Sequence, residues 1–209
     1  MKIIEPSYEI MTPISKGGVE ELKLIEKIGR VCYKSEDRIT EDSAKEFVHM
    51  LIARGHEAMI EHVSVSVKFI VDRGISHELV RHRIASFAQE STRYCNYSKD
   101  KFGNELTFIR PVFLEVDSVP YNRWAFDCRK AEKIYLDLIN QEGLTPQEAR
   151  AVLPNSLKTE IVVTMNLREW RHFFKLRIPK SAHPQMRQVT IPLLAEMQER
   201  LPVFFDDIF

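Results

Sequence analysis

The sequence predicts an α+β fold: a mostly antiparallel sheet packed with helices. Two segments, Val63 to Val71 and Leu157 to Met165, alternate apolar and polar side chains with period two, as strands with one buried face do. Several others carry apolar residues at helical spacing. The two kinds of segment do not alternate in the regular strand–helix–strand rhythm that builds a parallel sheet. With 209 residues, the chain suits one domain spanning 1–209, and a core of that size buries roughly 70% of the unfolded chain's surface without disulfides or structural metals.

The first helix is expected from Val19 to Tyr33, on Leu22, Ile25, Ile28 and Cys32. A second runs from Thr40 to Arg54 on Ala44, Phe47, Val48, Leu51 and Ile52, with Thr40 as N-cap and Gly55 just past its end. After the strand Val63 to Val71, a helix holding Glu78 to Val80 that continued to Arg83 would project Arg81 and Arg83 about 200° apart, towards two ligands or two sides of one interface. Tyr121 to Gln141 is helical through Trp124, Cys128, Ala131, Tyr135 and Leu138, and is stopped by Gly143. Thr145-Pro146-Gln147-Glu148 reads as a capping box with proline in the first turn, opening a short helix that ends by Pro154. The strand Leu157 to Met165 leads into Asn166, a helix start with Glu169 three residues on, and an apolar face of Trp170, Phe173 and Phe174 that is read as packing. The last helix, Pro184 to Leu201, contains Pro192, which should kink or split it.

Lys plus Arg and Asp plus Glu both number 30, so the net charge is zero, which argues against nucleic-acid polymers as partners. No uncharged apolar run approaches the roughly 18 residues of a membrane helix, and Lys2, Glu5, Pro6 and Glu9 are unlike a signal peptide, so a cytoplasmic protein is expected. Cys32, Cys95 and Cys128 are odd in number and form no C-x-x-C pair; they are read as reduced, buried packing residues. The neutrality is an average. Residues 36–61 carry −4, residues 168–187 carry +5, and residues 73–93 carry +2 with every cation an arginine. Arginine suits bidentate phosphate contact, and Ser91-Thr92-Arg93 adds hydroxyls, so this corner is a candidate phosphate cradle; a solvated, salt-bridged face is the alternative.

Arg81-His82-Arg83, seven residues and then Ser91 resembles the signature of the flavin-dependent thymidylate synthases. Three further blocks resemble that family in order and spacing: His56-Glu57 with Glu61-His62, Ala149-Arg150 with Leu153-Pro154, and Asn166 through Arg177. The resemblance implies a homotetramer with active sites at subunit interfaces. It implies FAD as cofactor, dUMP as substrate, 5,10-methylenetetrahydrofolate as carbon donor and NADPH as reductant. Carried onto this chain, the FAD set is His56, Ala58, Arg81, His82, Arg83, Gln89, Asn166, Arg168 and His172. The dUMP set is Glu78, Arg81, Gln89, Glu90, Ser91, Thr92, Arg93, Arg150 and Arg177, with Arg177 catalytic through polarisation of the uracil. The chain departs from the common pattern at Ala58, Glu78, Ala88, Gln89 and His172.

The residues themselves leave other chemistries open. No cysteine follows a proline, as the nucleophile of the unrelated thymidylate synthases does, and Cys95 has only Tyr94 and Asn96 as neighbours, so a flavin route without a thiolate is expected. Ser91 lacks a G-x-S-x-G elbow and is read as a phosphate ligand. His56, Glu57, Glu61 and His62 could instead hold a metal, although the two histidines would stand about 120° apart on a helix, and His77-Glu78-x-x-Arg81 has arginine where a zincin needs its second histidine. A metal-dependent nucleotide phosphohydrolase and a non-catalytic nucleotide-binding module are the competing classes; no metal is expected.

Overall fold

The structure, a computed structural model, describes residues 1–209. Its elements are β1 (Lys2–Ile4), β2 (Ser7–Ile10), α1 (Val19–Val31), α2 (Ser43–Ala53), β3 (Ser64–Asp72), α3 (Arg73–Leu79), β4 (Ala85–Gln89), β5 (Thr107–Ile109), α4 (Val119–Asn140), α5 (Pro146–Ala149), β6 (Lys158–Asn166), α6 (Leu167–Arg177) and α7 (Pro184–Arg200). The α+β reading holds. Four strands form a sheet in the order β2-β3-β6-β4, and β1 pairs with β5 in a separate parallel ribbon. β3 and β6 are antiparallel: Arg73 N–H donates to the Leu157 carbonyl at one end of the pair, and Leu167 N–H to the Val63 carbonyl at the other. The alternation seen in the sequence sets their buried faces, with Val65, Val67, Phe69 and Val71 on β3 and Thr159, Ile161, Val163 and Met165 on β6.

The chain forms two compact units. The first comprises Met1–Ser7, Phe69–Arg81 and Phe87–Val162; the second comprises Tyr8–Lys68, His82–Ser86 and Val163–Phe209. The first is built on Tyr97, Leu106, Phe108, Cys128, Tyr135, Ala149 and Leu157. In the second, α6 turns Trp170, Phe173 and Phe174 into an aromatic cluster that Phe205 joins, and the Trp170 indole N–H donates to the Val65 carbonyl at 3.0 Å. Each of these rings, fully buried, contributes roughly 1.5–3 kcal/mol of transfer free energy. α1 packs on α2 at Gly29, where an added Cβ would come within 2.7 Å of the Phe47 ring, so no larger residue fits there unless the ring moves. No helix is long and apolar enough to cross a membrane.

Four expectations change. α2 starts at Ser43, not Thr40: the Ser43 hydroxyl bonds Thr40 N–H and Glu26, which holds residues 40–42 outside the helix. α3 ends at Leu79, so Arg81-His82-Arg83 is not helical and no helix sets Arg81 and Arg83 about 200° apart. α7 runs unbroken through Pro192, which lies on the exposed face, where the backbone bond it removes can be replaced by water, while Val189, Thr190, Leu193 and Leu194 bury on either side of it. Cys32 is exposed at the end of α1; Cys95 is half-buried and Cys128 is buried. The short strands β1, β2, β4 and β5 carry too few residues for a period to be read.

Candidate active site

In the first unit the site is anchored by β3 running directly into α3. The Asp72 carboxylate accepts the Ile75 N–H at 2.8 Å, an N-cap that starts the helix at Arg73. Arg73 and His77 then lie four residues apart, on one face of a turn. With Thr92, Arg150, Pro154 and Asn155 they line a cavity of about 290 Å³. Arg150, on the 3-10 turn after α5, donates to the Thr92 hydroxyl at 3.3 Å, and Thr92 is buried. Arg73 Nη1 is buried without a hydrogen-bond partner. An unmet guanidinium N–H is costly in a folded protein, by about 1–3 kcal/mol.

The neighbouring residues are fixed by this framework. The Gln89 amide nitrogen donates to the Ser76 and Thr159 hydroxyls at 2.9 and 3.2 Å, which leaves its carbonyl oxygen for a ligand. Glu90 is spoken for: one oxygen accepts the Tyr97 hydroxyl at 2.9 Å, and the other accepts Lys158 Nζ and the Glu160 N–H, each at 3.1 Å. Burial and the Glu90 carboxylate push the Tyr97 hydroxyl well above the ordinary phenol range, so Tyr97 stays protonated and donates to Glu90. Ser91 opens a turn, its carbonyl accepting the Tyr94 and Cys95 N–H groups and its hydroxyl the Arg93 N–H. Glu78 and Arg81 follow at the end of α3, where Arg81 N–H meets the Glu78 carbonyl.

The second unit carries a different site. Asn166 Oδ1 caps α6 by accepting the Glu169 N–H at 2.8 Å, as the sequence suggested. The helix then buries Trp170, Phe173 and Phe174 and leaves Arg168, His172 and Lys175 on its outer face. These three, with Asn166, Arg83 and two carboxylates, Glu57 and Glu61, line a cleft of about 400 Å³. Glu57 and Glu61 sit on a 3-10 turn, Glu57–His62. Arg168 pairs with Glu61 at 2.6 Å, and both are about half exposed. Arg171, 2% exposed, is clamped by both Asp207 oxygens at 2.6 and 2.7 Å, by Glu57 at 3.1 Å and by the Phe204 carbonyl. That clamp holds Asp207 below the usual carboxylate range.

At the cleft a chain of polar groups runs through the buried His82. Arg177 Nε donates to His82 Nε2 at 2.9 Å, and His82 Nδ1 stands 3.4 Å from Glu169 Oε1. His82 is 4% exposed, and the Phe173 ring meets it edge-on at 4.9 Å. Burial, then the Arg177 guanidinium, then His172 bring the His82 pKa down to about 4, so the imidazole is neutral at physiological pH. Burial raises Glu169 above the ordinary carboxylate range.

Of the FAD set, Arg83, Asn166, Arg168 and His172 therefore meet at one cleft. His56 and Ala58 are exposed on or beside the turn whose Glu57 and Glu61 line the cleft instead. His82 is buried against Arg177, and Arg81 and Gln89 belong to the first unit. Of the dUMP set, Thr92 and Arg150 meet at the 290 Å³ cavity, and every member except Arg177 belongs to the first unit. Arg73, His77, Glu57 and Glu61 were missed as lining residues. The Arg73/His77 spacing would have been readable had the cap at Asp72 been recognised.

Residues 19–203 match the family model described as "Thymidylate synthase complementing protein". The chain is 35% identical over 178 residues to the flavin-dependent thymidylate synthase of Pyrococcus furiosus, covering 85% of this chain and 72% of that protein. It is 32% identical to the flavin-dependent thymidylate synthase of Corynebacterium aurimucosum, over 93% of this chain and 82% of the relative. Its fold resembles the crystal structure of the UMP/dUMP methylase PolB from Streptomyces cacaoi bound with 5-Br dUMP, with a TM-score of 0.77 and 22% identity over 99% of this chain and 96% of that one. With its motifs in place and the match spanning most of its length, the chain belongs to the flavin-dependent thymidylate synthase family.

Proposed function

We propose that the chain methylates dUMP to dTMP as a cytoplasmic homotetramer with active sites at subunit interfaces, using FAD, 5,10-methylenetetrahydrofolate as carbon donor and NADPH as reductant. The observation that carries the reading is the first unit's cavity, where Arg73, Arg150 and Thr92 present N–H and hydroxyl groups to an anion the size of a phosphate. The 5-Br dUMP bound to PolB, a protein of the same fold, supports a uracil nucleotide as the ligand. In this reading Arg150, Thr92, Ser91 and Arg93 hold the phosphate, and the free carbonyl of Gln89 accepts from the base.

The cleft of the second unit fits the phosphates of FAD by the chemistry of its donors. Arg83, Arg168, Lys175 and His172 line it, and the exposed Arg168–Glu61 pair, worth about 0–1 kcal/mol, exchanges readily for a phosphate. When bound in reduced form, FAD supplies a hydride. Arg177 stabilises negative charge as it develops on the pyrimidine, with its guanidinium oriented before the substrate arrives. Hydrogen at uracil position 5 must leave as a proton when that carbon gains the methylene.

No thiolate is assigned: burial pushes the Cys128 thiol up, and Cys32 lies exposed at the end of α1. Tritium at position 5 of dUMP is expected to be released by the FAD-loaded protein with folate and NADPH present; no release under anaerobic reducing conditions would overturn the reading. In the same assay Arg177→Ala should lower kcat by roughly 100- to 1,000-fold, while Ser replacements at the three cysteines cost only a few-fold; equal losses would return the chemistry to a thiol.

A further inference from the structure

We propose that His82 is a positioning residue for Arg177, and that Glu169 fixes its tautomer. The inference rests on the reading of Arg177 as the group that meets the uracil, and it adds what holds that group in place. Arg177 Nε carries a hydrogen and can only donate, so the 2.9 Å contact requires a lone pair on His82 Nε2. The imidazole proton must then sit on Nδ1, which faces Glu169 Oε1 at 3.4 Å. Glu169 Oε1 is itself buried and has no hydrogen bond, so the Nδ1–H is the donor placed to meet it once the site tightens around substrate.

The ring is held from the side as well as the ends. Phe173 meets it edge-on at 4.9 Å, and His172 stands at 6.2 Å. The charged and titratable groups acting on the ring are Arg177, Glu169 and His172, and two of the three oppose an imidazolium: a second proton would place an N–H against the Arg177 N–H. Glu169 and Arg177 both belong to α6, and His82, in the segment after α3, bridges them, so the ring ties the end of the helix to its first turn. A guanidinium on a long side chain has many rotamers, and fixing its Nε leaves the two terminal nitrogens aimed in one direction.

The test is a double-mutant cycle on the FAD-loaded enzyme with His82→Phe, Arg177→Ala and the double variant, with His82→Gln as the conservative replacement. His82→Phe keeps the shape and removes the acceptor. It should lower kcat by about thirtyfold and change the KM for dUMP less than threefold, while His82→Gln, which retains an acceptor oxygen, recovers most of the loss. In the Arg177→Ala background, His82→Phe should cost less than about twofold more. Multiplicative losses in the cycle, with Arg177→Ala itself reduced roughly 100-fold or more, would overturn the positioning role alone. An active Arg177→Ala would overturn the Arg177 reading and the inference with it. A readout independent of turnover is the ¹⁵N spectrum of His82 in the wild-type protein at neutral pH: the Nδ1–H neutral tautomer is expected, and an Nε2–H tautomer or an imidazolium would refute the arrangement.

Discussion

In the first compact unit the arginines at the cavity are lightly held: Arg73 leaves Nη1 without a hydrogen bond, and Arg150 rests on the neutral Thr92 hydroxyl. In the second unit they are already matched with carboxylates, Arg168 with Glu61 and Arg171 with Asp207 and Glu57. Both segments are cation-rich in sequence, so composition does not separate them. What differs is the partner each cation has before a ligand arrives. A dianionic phosphate entering the first unit gains donors that are waiting for it, whereas a ligand at the second unit's cleft must displace an ion pair or bind around one. The comparison also separates two uses of arginine within α6: Arg168 on the surface can change partners, and Arg171, three residues on, cannot, because its charge is buried.

The largest effect that could break this contrast is at Arg171. Arg171→Met leaves Asp207 without its partner and Glu57 with only Arg168 at 3.8 Å, and should cost about 3–5 kcal/mol of unfolding free energy, measured by denaturant titration. A loss below 1 kcal/mol would make Arg171 equivalent to a surface arginine.

Next is the acid limb of stability. The His82 pKa falls to about 4 on folding, so between pH 6.5 and 4 the unfolded chain binds more protons at this site, and stability drops as pH falls through that window. The full span corresponds to about 3 kcal/mol. Glu169, raised on folding, has the opposite sign, so the measurement is the difference between wild type and His82→Gln: the variant should lose less stability between pH 6.5 and 4. Parallel pH curves would place His82 in an ordinary environment.

The third prediction crosses the two sites. Arg150→Ala should raise the KM for dUMP roughly ten- to hundredfold, from a loss of about 1.5–3 kcal/mol in a charge-assisted bond, and leave FAD retention unchanged. Arg168→Ala should do the reverse. If both variants weaken both ligands equally, the division of roles is wrong. The smallest effect expected is at Glu61→Gln, which releases Arg168 from its exposed pair: stability should change by less than about 1 kcal/mol, while FAD binding tightens.

Legibility in the sequence followed the reach of each interaction. β3 and β6, α4, the Thr145 capping box and the Asn166 cap were readable because each depends on contacts two to four residues apart. The start of α2 was misplaced because Ser43 answers to Glu26, seventeen residues away. The motif gives Glu90 an expected place at dUMP but no sign of the Tyr97, Lys158 and Glu160 bonds its carboxylate accepts, because only the folded chain brings Lys158 and Glu160 there. The motif that gives His82 an expected place at the cofactor likewise gives no sign of its burial beside Arg177.

By itself the sequence determined the fold class, the local caps, the motif residues and the family, since periodicity, cap chemistry and motif spacing are written in consecutive residues. Tertiary structure alone decided which arginines are free and which are paired, and which histidine is buried neutral. Those properties depend on a charge's distance to its partner and on the water excluded around it, and both are set by segments far apart in sequence, 107 residues for Arg168 and Glu61.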